Sequence, residues 1–265
     1  MTVEAVALTV AASTNVGQRR SLNEDAVLAR RPVFIVADGM GGHDAGDRAS
    51  AIAVAEMGRL GDSPSVADVR DALTRARWHI DRLAASDARH AAGTTVSGVV
   101  LVEQDGLAYW LVLNVGDSRT YHVRGDAVSQ VSVDHSEAQE MIEAGRLAPG
   151  AANQYARRHV ITRVLGAHTA EAPDYWLLPV QAGERWMVCS DGLTGELDDQ
   201  EIAAILTTES ADDAVRTLVN RALGAGGRDN ISVVVVDVAP HCPDEDLEHT
   251  IEDNLVLMGP QGGTA

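Results

Sequence analysis

The chain has 265 residues, long enough to bury a full core, and its 45% hydrophobic content is that of a globular protein. It carries 21 basic against 39 acidic residues, a formal charge of −18, and every basic residue is arginine. Such a field argues against nucleic acid or an anionic membrane as a partner, and any site handling phosphate would need local cations.

Val3 to Ser13 is a β-type run with partial alternation, closed by a turn at Asn15-Val16-Gly17. The polar stretch that follows, Arg19-Arg20-Ser21-Leu22-Asn23-Glu24-Asp25, reads either as a solvated loop or as phosphate-binding guanidinium beside metal-facing carboxylates. Val33-Phe34-Ile35-Val36-Ala37 is a buried strand that stops at Asp38-Gly39-Met40-Gly41-Gly42-His43. A carboxylate at the end of a buried strand, next to glycines that let the backbone turn, is aimed and not merely exposed. Asp38 can coordinate a hard cation, and the Gly39 carbonyl, unshielded by a side chain, can supply a second oxygen, although Asp-Gly is also a common turn dipeptide. Helical spacing over Asp47 to Leu60, and again from Ser65, an N-cap candidate, to Leu83, predicts two helices covering one face of a sheet.

Gly93-Thr94-Thr95 opens a strand-rich block reaching Val102. Asp105-Gly106 predicts a hairpin into a buried strand over Leu107 to Val115, and Arg124-Gly125-Asp126 a turn before Ala127 to Val131. Hairpins imply antiparallel pairing. Between these strands, Gly116-Asp117-Ser118-Arg119 puts another carboxylate at a strand end, unless Asp117 only pairs with Arg119 or caps the turn. Ser136 to Ala144 predicts a short helix and residues 145–158 an irregular, mobile surface excursion. Trp176 to Val180 and Trp186 to Cys189 are strands, the second running into Ser190-Asp191-Gly192-Leu193. Helices over Glu201 to Leu206 and Ala211 to Leu223 precede a glycine connector, then Arg228-Asp229-Asn230 and the apolar strand Ile231 to Val238. Helices flanking strands at both ends of the chain suggest two stacked sheets covered by helices on both outer faces.

Past Pro240 the composition shifts to Asp244, Glu245, Asp246, Glu248, Glu252 and Asp253, which reads as a disordered tail holding Thr250 as a candidate kinase target. Cys189 and Cys242 make no disulfide framework, no run approaches the ~20 apolar residues of a membrane span, and the N-terminus lacks a targeting pattern. The expectation is a cytoplasmic monomer.

Glu24-Asp25, Asp38, Asp117, Asp191 and Asp229 each border an apolar strand, and three of these sites adjoin glycine. Clustered oxygen ligands without His or Cys suit Mg²⁺ or Mn²⁺, not zinc. Two such ions about 3.5 to 4 Å apart, bridged by Asp38, would polarise a phosphoryl oxygen and hold a hydroxide, the chemistry of phosphate-ester hydrolysis.

Over residues 5–239 the chain closely resembles the metal-dependent protein phosphatase family, type 2C. Its motifs occur in the family's order: Arg20 with Asn23-Glu24-Asp25, Asp38-Gly39-Met40-Gly41-Gly42, Gly93-Thr94-Thr95, Gly116-Asp117-Ser118-Arg119, Ile161-Thr162-Arg163 with Gly166, Ser190-Asp191-Gly192, and Asp229-Asn230-Ile231-Ser232. The resemblance implies an α+β fold, a four-layer α-β-β-α sandwich of two antiparallel sheets flanked by helices. The catalytic domain would span residues 1–239 with a flap at 145–158, leaving an acidic tail at 240–265. It implies hydrolysis of phosphoserine and phosphothreonine in proteins by a metal-bridging hydroxide, opposing bacterial serine/threonine kinases, so that those kinases or their substrates are the partners.

Carried over residue by residue, the resemblance has Asp38 bridge two Mn²⁺ or Mg²⁺ ions, Gly39 bind one through its carbonyl, and Asp191 and Asp229 complete the set. Asp117 with Asp191 resembles the pair that holds a weaker third metal. Glu24 and Asp25, holding ion-bound waters, stand behind these ligands with Asn230, and Arg20 grips the substrate phosphate. Met40 stands where eukaryotic members often have a histidine proposed as general acid, while bacterial members often share the methionine. His43, His135 and His159 are candidate proton donors, with a metal-bound water the simpler one. Alternative readings are a phosphatase dedicated to one regulatory phosphoprotein, as in sigma-factor switches, and a catalytically weak scaffold that binds phosphoproteins.

Overall fold

A computed structural model describes residues 2–41, 45–86, 92–167 and 172–239. His43 and the tail at 240–265, with Thr250 and Cys242, lie outside the described residues.

Three strands, β1 (Leu8–Asn15), β2 (Asp25–Arg30) and β3 (Val33–Met40), lead into two helices, α1 (Ala45–Met57) and α2 (Val66–Ser86). A strand block follows: β4 (Gly93–Thr94), β5 (Val96–Gln104), β6 (Leu107–Val115), β7 (Arg119–Arg124) and β8 (Ala127–Gln130). Helix α3 (Glu137–Glu143) and a 3-10 helix (Pro149–Gln154) precede β9 (Leu165–Gly166), β10 (Asp174–Pro179) and β11 (Arg185–Cys189). The chain closes with α4 (Asp191–Thr194), α5 (Asp199–Leu206), α6 (Ala211–Ala225) and β12 (Ile231–Val238).

All the paired strands are antiparallel and form two sheets, one five-stranded in the order β1-β12-β11-β7-β8 and one seven-stranded in the order β10-β6-β5-β3-β4-β9 with β2 paired to β3. The period-2 alternation of each strand sorts its side chains between layers. In β3, Val33, Ile35 and Ala37 pack beneath α1 and α2, while Phe34 and Val36 face the opposite sheet. In β12, Val233 and Val235 pack on α6, while Val234 and Val236 face inward. The result is the four-layer α-β-β-α sandwich. No helix among the described residues is long and apolar enough to cross a membrane.

The helices start where local capping chemistry puts them. Ser65 accepts from the Asp68 amide while the Asp68 carboxylate accepts from the Ser65 amide, and Asp198 and Glu201 form the same reciprocal box at α5.

Four local expectations are corrected. The first strand is Leu8–Asn15; Val3 and Val6 are buried in the inter-sheet core from a turn, held by Arg31, which donates to both of their carbonyls. Strand β2 was not read from the sequence, where the polar stretch ends at its first residue, because Asp25–Arg30 is half-buried almost throughout and shows no clean alternation. Strand β7 escapes the hydrophobic pattern because its inward face is polar: Thr120 Oγ1 bonds Ser97 Oγ across the sheets at 2.9 Å, and His122 Nε2 lies 2.8 Å from Glu184 Oε2. The excursion at 145–158 contains the 3-10 helix and is tied to α3, with Tyr155 donating to Glu137 at 2.7 Å and Arg157 paired to Glu137 at 2.7 Å.

The inter-sheet core is aromatic at the end remote from the Asp38 turn. Phe34 meets Trp110 edge-on with centroids 6.1 Å apart, Trp110 lies 6.2 Å from Trp186, and His122 stacks on Trp186 at 4.4 Å. Buried Glu184 accepts from Trp110 Nε1 at 2.7 Å and from the Gln181 amide at 2.9 Å. Glu184→Ala would strand a fully buried indole N–H and should cost about 2–4 kcal/mol in urea unfolding, against about 1 kcal/mol or less for Glu184→Gln, which can still accept.

Candidate active site

One end of the inter-sheet interface is polar, and the carboxylates singled out in the sequence meet there. The β2–β3 register sets Asp25 directly opposite Asp38. Asp38 is held by its main chain: its amide donates to Thr95 Oγ1 at 3.0 Å, and its carbonyl accepts from the Thr95 amide at 2.8 Å and Thr94 Oγ1 at 2.9 Å. This is the structural use of the Gly93-Thr94-Thr95 motif. Thr95 Oγ1 in turn lies 2.7 Å from Ser118 Oγ, linking Asp38 to the segment that carries Asp117.

From the other sheet, β11 ends at Cys189, and Asp191 is the first residue of α4, not the last of a strand. Asp229 precedes β12. The two segments touch because position 192 has no side chain: a Cβ there would stand 1.9 Å from the Asn230 carbonyl oxygen. Gly39 is equally constrained, since its Cβ would stand 2.1 Å from the Gly46 oxygen and 2.6 Å from that of Glu24. The Glu24 carboxylate accepts from the Gly46 amide in the first turn of α1, a position its charge favours. Asn230 ties the rear of the site together, accepting from the Glu24 amide at 2.9 Å and donating to the Val16 and Leu22 carbonyls at 3.0 Å.

A cleft of about 630 Å³ opens over these groups, bordered by Arg20, Glu24, Asp38, Asp191 and Asp229, with Gly39 and Met40 in its wall. A smaller pocket of about 100 Å³, bordered by Asp117 and Asp191, adjoins it. Asp25 lies beneath: its Oδ2 accepts from Ser190 Oγ at 2.8 Å and Ser232 Oγ at 2.6 Å, both from the opposite sheet.

Burial, and then the charge of neighbouring carboxylates, pushes Asp25 up to about 6 and holds Asp38, Asp117 and Asp191 above the usual carboxylate range. Asp38 and Asp191 are within hydrogen-bonding reach of one another. The buried Oδ1 atoms of Asp25 and Asp117 have no hydrogen-bond partner. Crowded, desolvated carboxylates with unused oxygens are what a hard divalent cation satisfies. No group of three or more Asp, Glu, His or Cys among the described residues forms a ready-made cage, so a cation here would complete its shell with a main-chain carbonyl and water, as Mg²⁺ and Mn²⁺ readily do.

Arg20 reaches the cleft but is engaged, its Nη2 donating to Asp229 Oδ2 at 2.8 Å. Asp117 does not pair with Arg119, which binds Asp134 through both carboxylate oxygens. His135 is buried and structural: its Nδ1 accepts from the Gly116 amide at 3.2 Å and its Nε2 lies 3.0 Å from Asp174. His159 is exposed in the cleft wall, where a positive charge on it would act on Asp191. The Arg228–Glu196 fork at the rim, at 2.8 to 3.0 Å, had no sequence signal, because its partners lie 32 residues apart.

The family model for protein phosphatase 2C matches residues 16–229. The phosphatase PhpP of Streptococcus pneumoniae is 32% identical over 238 residues, covering 85% of this chain and 95% of that protein. The serine/threonine protein phosphatase PstP of Mycobacterium tuberculosis is 32% identical over 239 residues, but this chain spans only 46% of its length. A crystal structure of the M. tuberculosis PstP/Ppp phosphatase superposes with a TM-score of 0.82 at 30% identity, covering 89% of this chain and all of that one. A PstP catalytic-domain structure in complex with two manganese ions gives 0.80 at 29% identity. A match across both sheets and every segment of the cleft, with relatives of the same kind over most of the chain, makes this chain a member of the protein phosphatase 2C family.

Proposed function

We propose that Asp38, Gly39, Asp191 and Asp229 hold two divalent cations in the cleft of what is, by family, a metal-dependent protein serine/threonine phosphatase. The observation that carries the residue assignment is the convergence of carboxylates from both sheets, where burial and then mutual repulsion hold Asp38 and Asp191 above the usual carboxylate range. Mn²⁺ or Mg²⁺ held there would neutralise phosphate charge and lower the pKa of the attacking water. Asp38, at the end of β3 on the face toward the other sheet, would be the ligand shared by the two ions. Gly39 offers its carbonyl where no side chain intervenes. Glu24, Asp25 and Asn230 set the positions of these ligands from behind, Asp25 through the Ser190 and Ser232 hydroxyls.

Arg20 binds the substrate phosphate with its planar fork and is kept oriented until then by Asp229. Asp117, with an unpartnered oxygen beside Asp191, holds a weaker third cation. We take residues 1–239 as the catalytic domain and 145–158 as the flap, whose Arg158 borders the cleft. The substrates are proteins phosphorylated on serine or threonine, the kinases that phosphorylate them among these, and the protein works as a monomer in the cytoplasm, where a buried thiol such as Cys189 stays reduced.

Turnover of a phosphothreonine peptide with Mn²⁺ tests the centre. Asp38→Asn and Asp229→Asn should each lower kcat by more than the roughly 100-fold that loss of an outer metal partner costs, with weaker Mn²⁺ binding by calorimetry. Parent-like turnover in either variant would remove that residue from the centre.

Removal of metal has a signed pH consequence. The raised carboxyls bind protons in the folded state that the unfolded chain has already released, so they favour the metal-free fold only at low pH. Stability then falls as pH rises through the ordinary carboxylate range toward about 6 and beyond. Melting of the chelated protein should drop more between about pH 5 and pH 7.5 for the parent than for Asp38→Asn, and Mn²⁺ should restore the loss in the parent alone.

Asp117→Ala removes a buried oxygen that bonds nothing in the protein. It should melt at or above the parent temperature, keep its tight Mn²⁺ binding, and lose roughly tenfold or more in kcat together with the weak phase of the Mn²⁺ activation curve. An unchanged activation curve would assign Asp117 to the turn.

A further inference from the structure

Away from the cleft, a surface cavity of about 210 Å³ lies between α2 and the β9–β10 segment, bordered by Arg70, Leu73, Thr74, Arg77, Leu165, Ala172, Pro173 and Tyr175. Arg70, Thr74 and Arg77 follow the i, i+4, i+7 spacing and so share one face of the helix. Tyr175 stands on β10, paired with Leu113, and Leu165 on β9. No acidic residue borders this cavity among the described residues, in a chain with 39 of them.

Most guanidiniums of this protein that meet a carboxylate do so closely, as Arg185 does with Asp237 and Arg119 with Asp134. Here the pairing is loose. Among the described residues Arg77 has only Asp81, with Nε at 3.8 Å, and Arg70 lies over the Tyr175 ring at 5.5 Å, within reach of its hydroxyl. Two guanidiniums and a phenol around one cavity supply forked donors and positive charge, with Asp81 the one loose carboxylate partner among the described residues, while the Thr74 hydroxyl is spent on the Arg70 carbonyl at 2.8 Å.

We propose that this cavity is a second anion site, separate from the catalytic cleft, that binds a phosphate group through Arg70 and Arg77 with Tyr175 as a neutral donor. Planar forks match phosphate oxygens in pairs, and a site needs such contacts all the more where the overall field of −18 depletes anions. The phosphate group has two sources, a second phosphorylated residue on the protein substrate or free phosphate, the product of the reaction. The cavity is joined to the cleft by a short ladder, since Leu165 in its wall pairs with Thr94, and Thr94 pairs with Gly39.

The test uses the full chain. With EDTA present to remove cations from the cleft, calorimetric titration with inorganic phosphate should show saturable binding in the parent and in Arg20→Gln, which lacks the cleft's phosphate-binding guanidinium. The Arg70→Gln/Arg77→Gln variant should bind roughly tenfold more weakly or worse, with parent-like melting. With Mn²⁺ present, a peptide carrying two phosphoserines should have a lower KM than its singly phosphorylated form, and the double variant should abolish the difference if the source is the substrate. Equal KM values with phosphate binding intact would identify free phosphate as the ligand. If the double variant matches the parent both in phosphate binding and in the ratio of the two KM values, the site does not exist, whatever the fate of the metal centre.

Discussion

The register that sets Asp25 opposite Asp38 is the constraint on which the cleft depends. Two carboxylates paired across neighbouring strands at the end of a buried sheet have lost much of their water, and each raises the cost of ionising the other. Help comes from the facing sheet, whose Ser190 and Ser232 hydroxyls donate to Asp25, and, among the described residues, not from any cationic side chain in direct contact with Asp38. The arrangement therefore stores an unmet demand for positive charge at the point where both sheets end.

That demand divides the inter-sheet layer into two halves. At one end Phe34, Trp110 and Trp186 pack edge to face and bury their area as an ordinary core. Nearer the cleft the contacts between sheets are hydroxyl pairs, Ser97 with Thr120 and Thr95 with Ser118. Short polar side chains at these positions let the sheets approach without filling the space the carboxylates need, and every hydroxyl in these pairs has a partner. Gly39 and Gly192 serve the same end, because any side chain there would push the Glu24 and Asn230 main chains away from the ligands they position.

The arginines complete the electrostatic account. Two of those at the cleft are already committed, Arg20 to Asp229 and Arg228 to Glu196. Their positive charge is thus largely cancelled locally, and the attraction that a phosphorylated protein would feel toward a chain of charge −18 would come from Arg158 and from the cations proposed for the cleft. The loosely paired Arg70 and Arg77 are an exception to this internal neutralisation, on a face remote from the chemistry.

The sequence alone determined the strands that alternate or are fully apolar, the capped helices, and the positions of the carboxylates, because hydrophobic period, glycine turns and N-caps are local properties. It also carried the family's motifs in order, which sufficed for the four-layer fold. It did not determine β7, whose inward face is satisfied by hydrogen bonds and not by apolar contact, nor β2, whose half-buried residues show no clean alternation. Nor could it assign the partners of single groups. Whether Asp117 pairs with Arg119 or keeps an oxygen free, and whether His135 is structural, depended on Asp134 and Asp174 approaching from other segments. Opposition of Asp25 and Asp38, contact of Gly192 with Asn230, and the fork of Arg228 on Glu196 were decided only by tertiary structure, since pairing register and long-range approach bring together residues whose spacing along the chain records nothing of their distance in space.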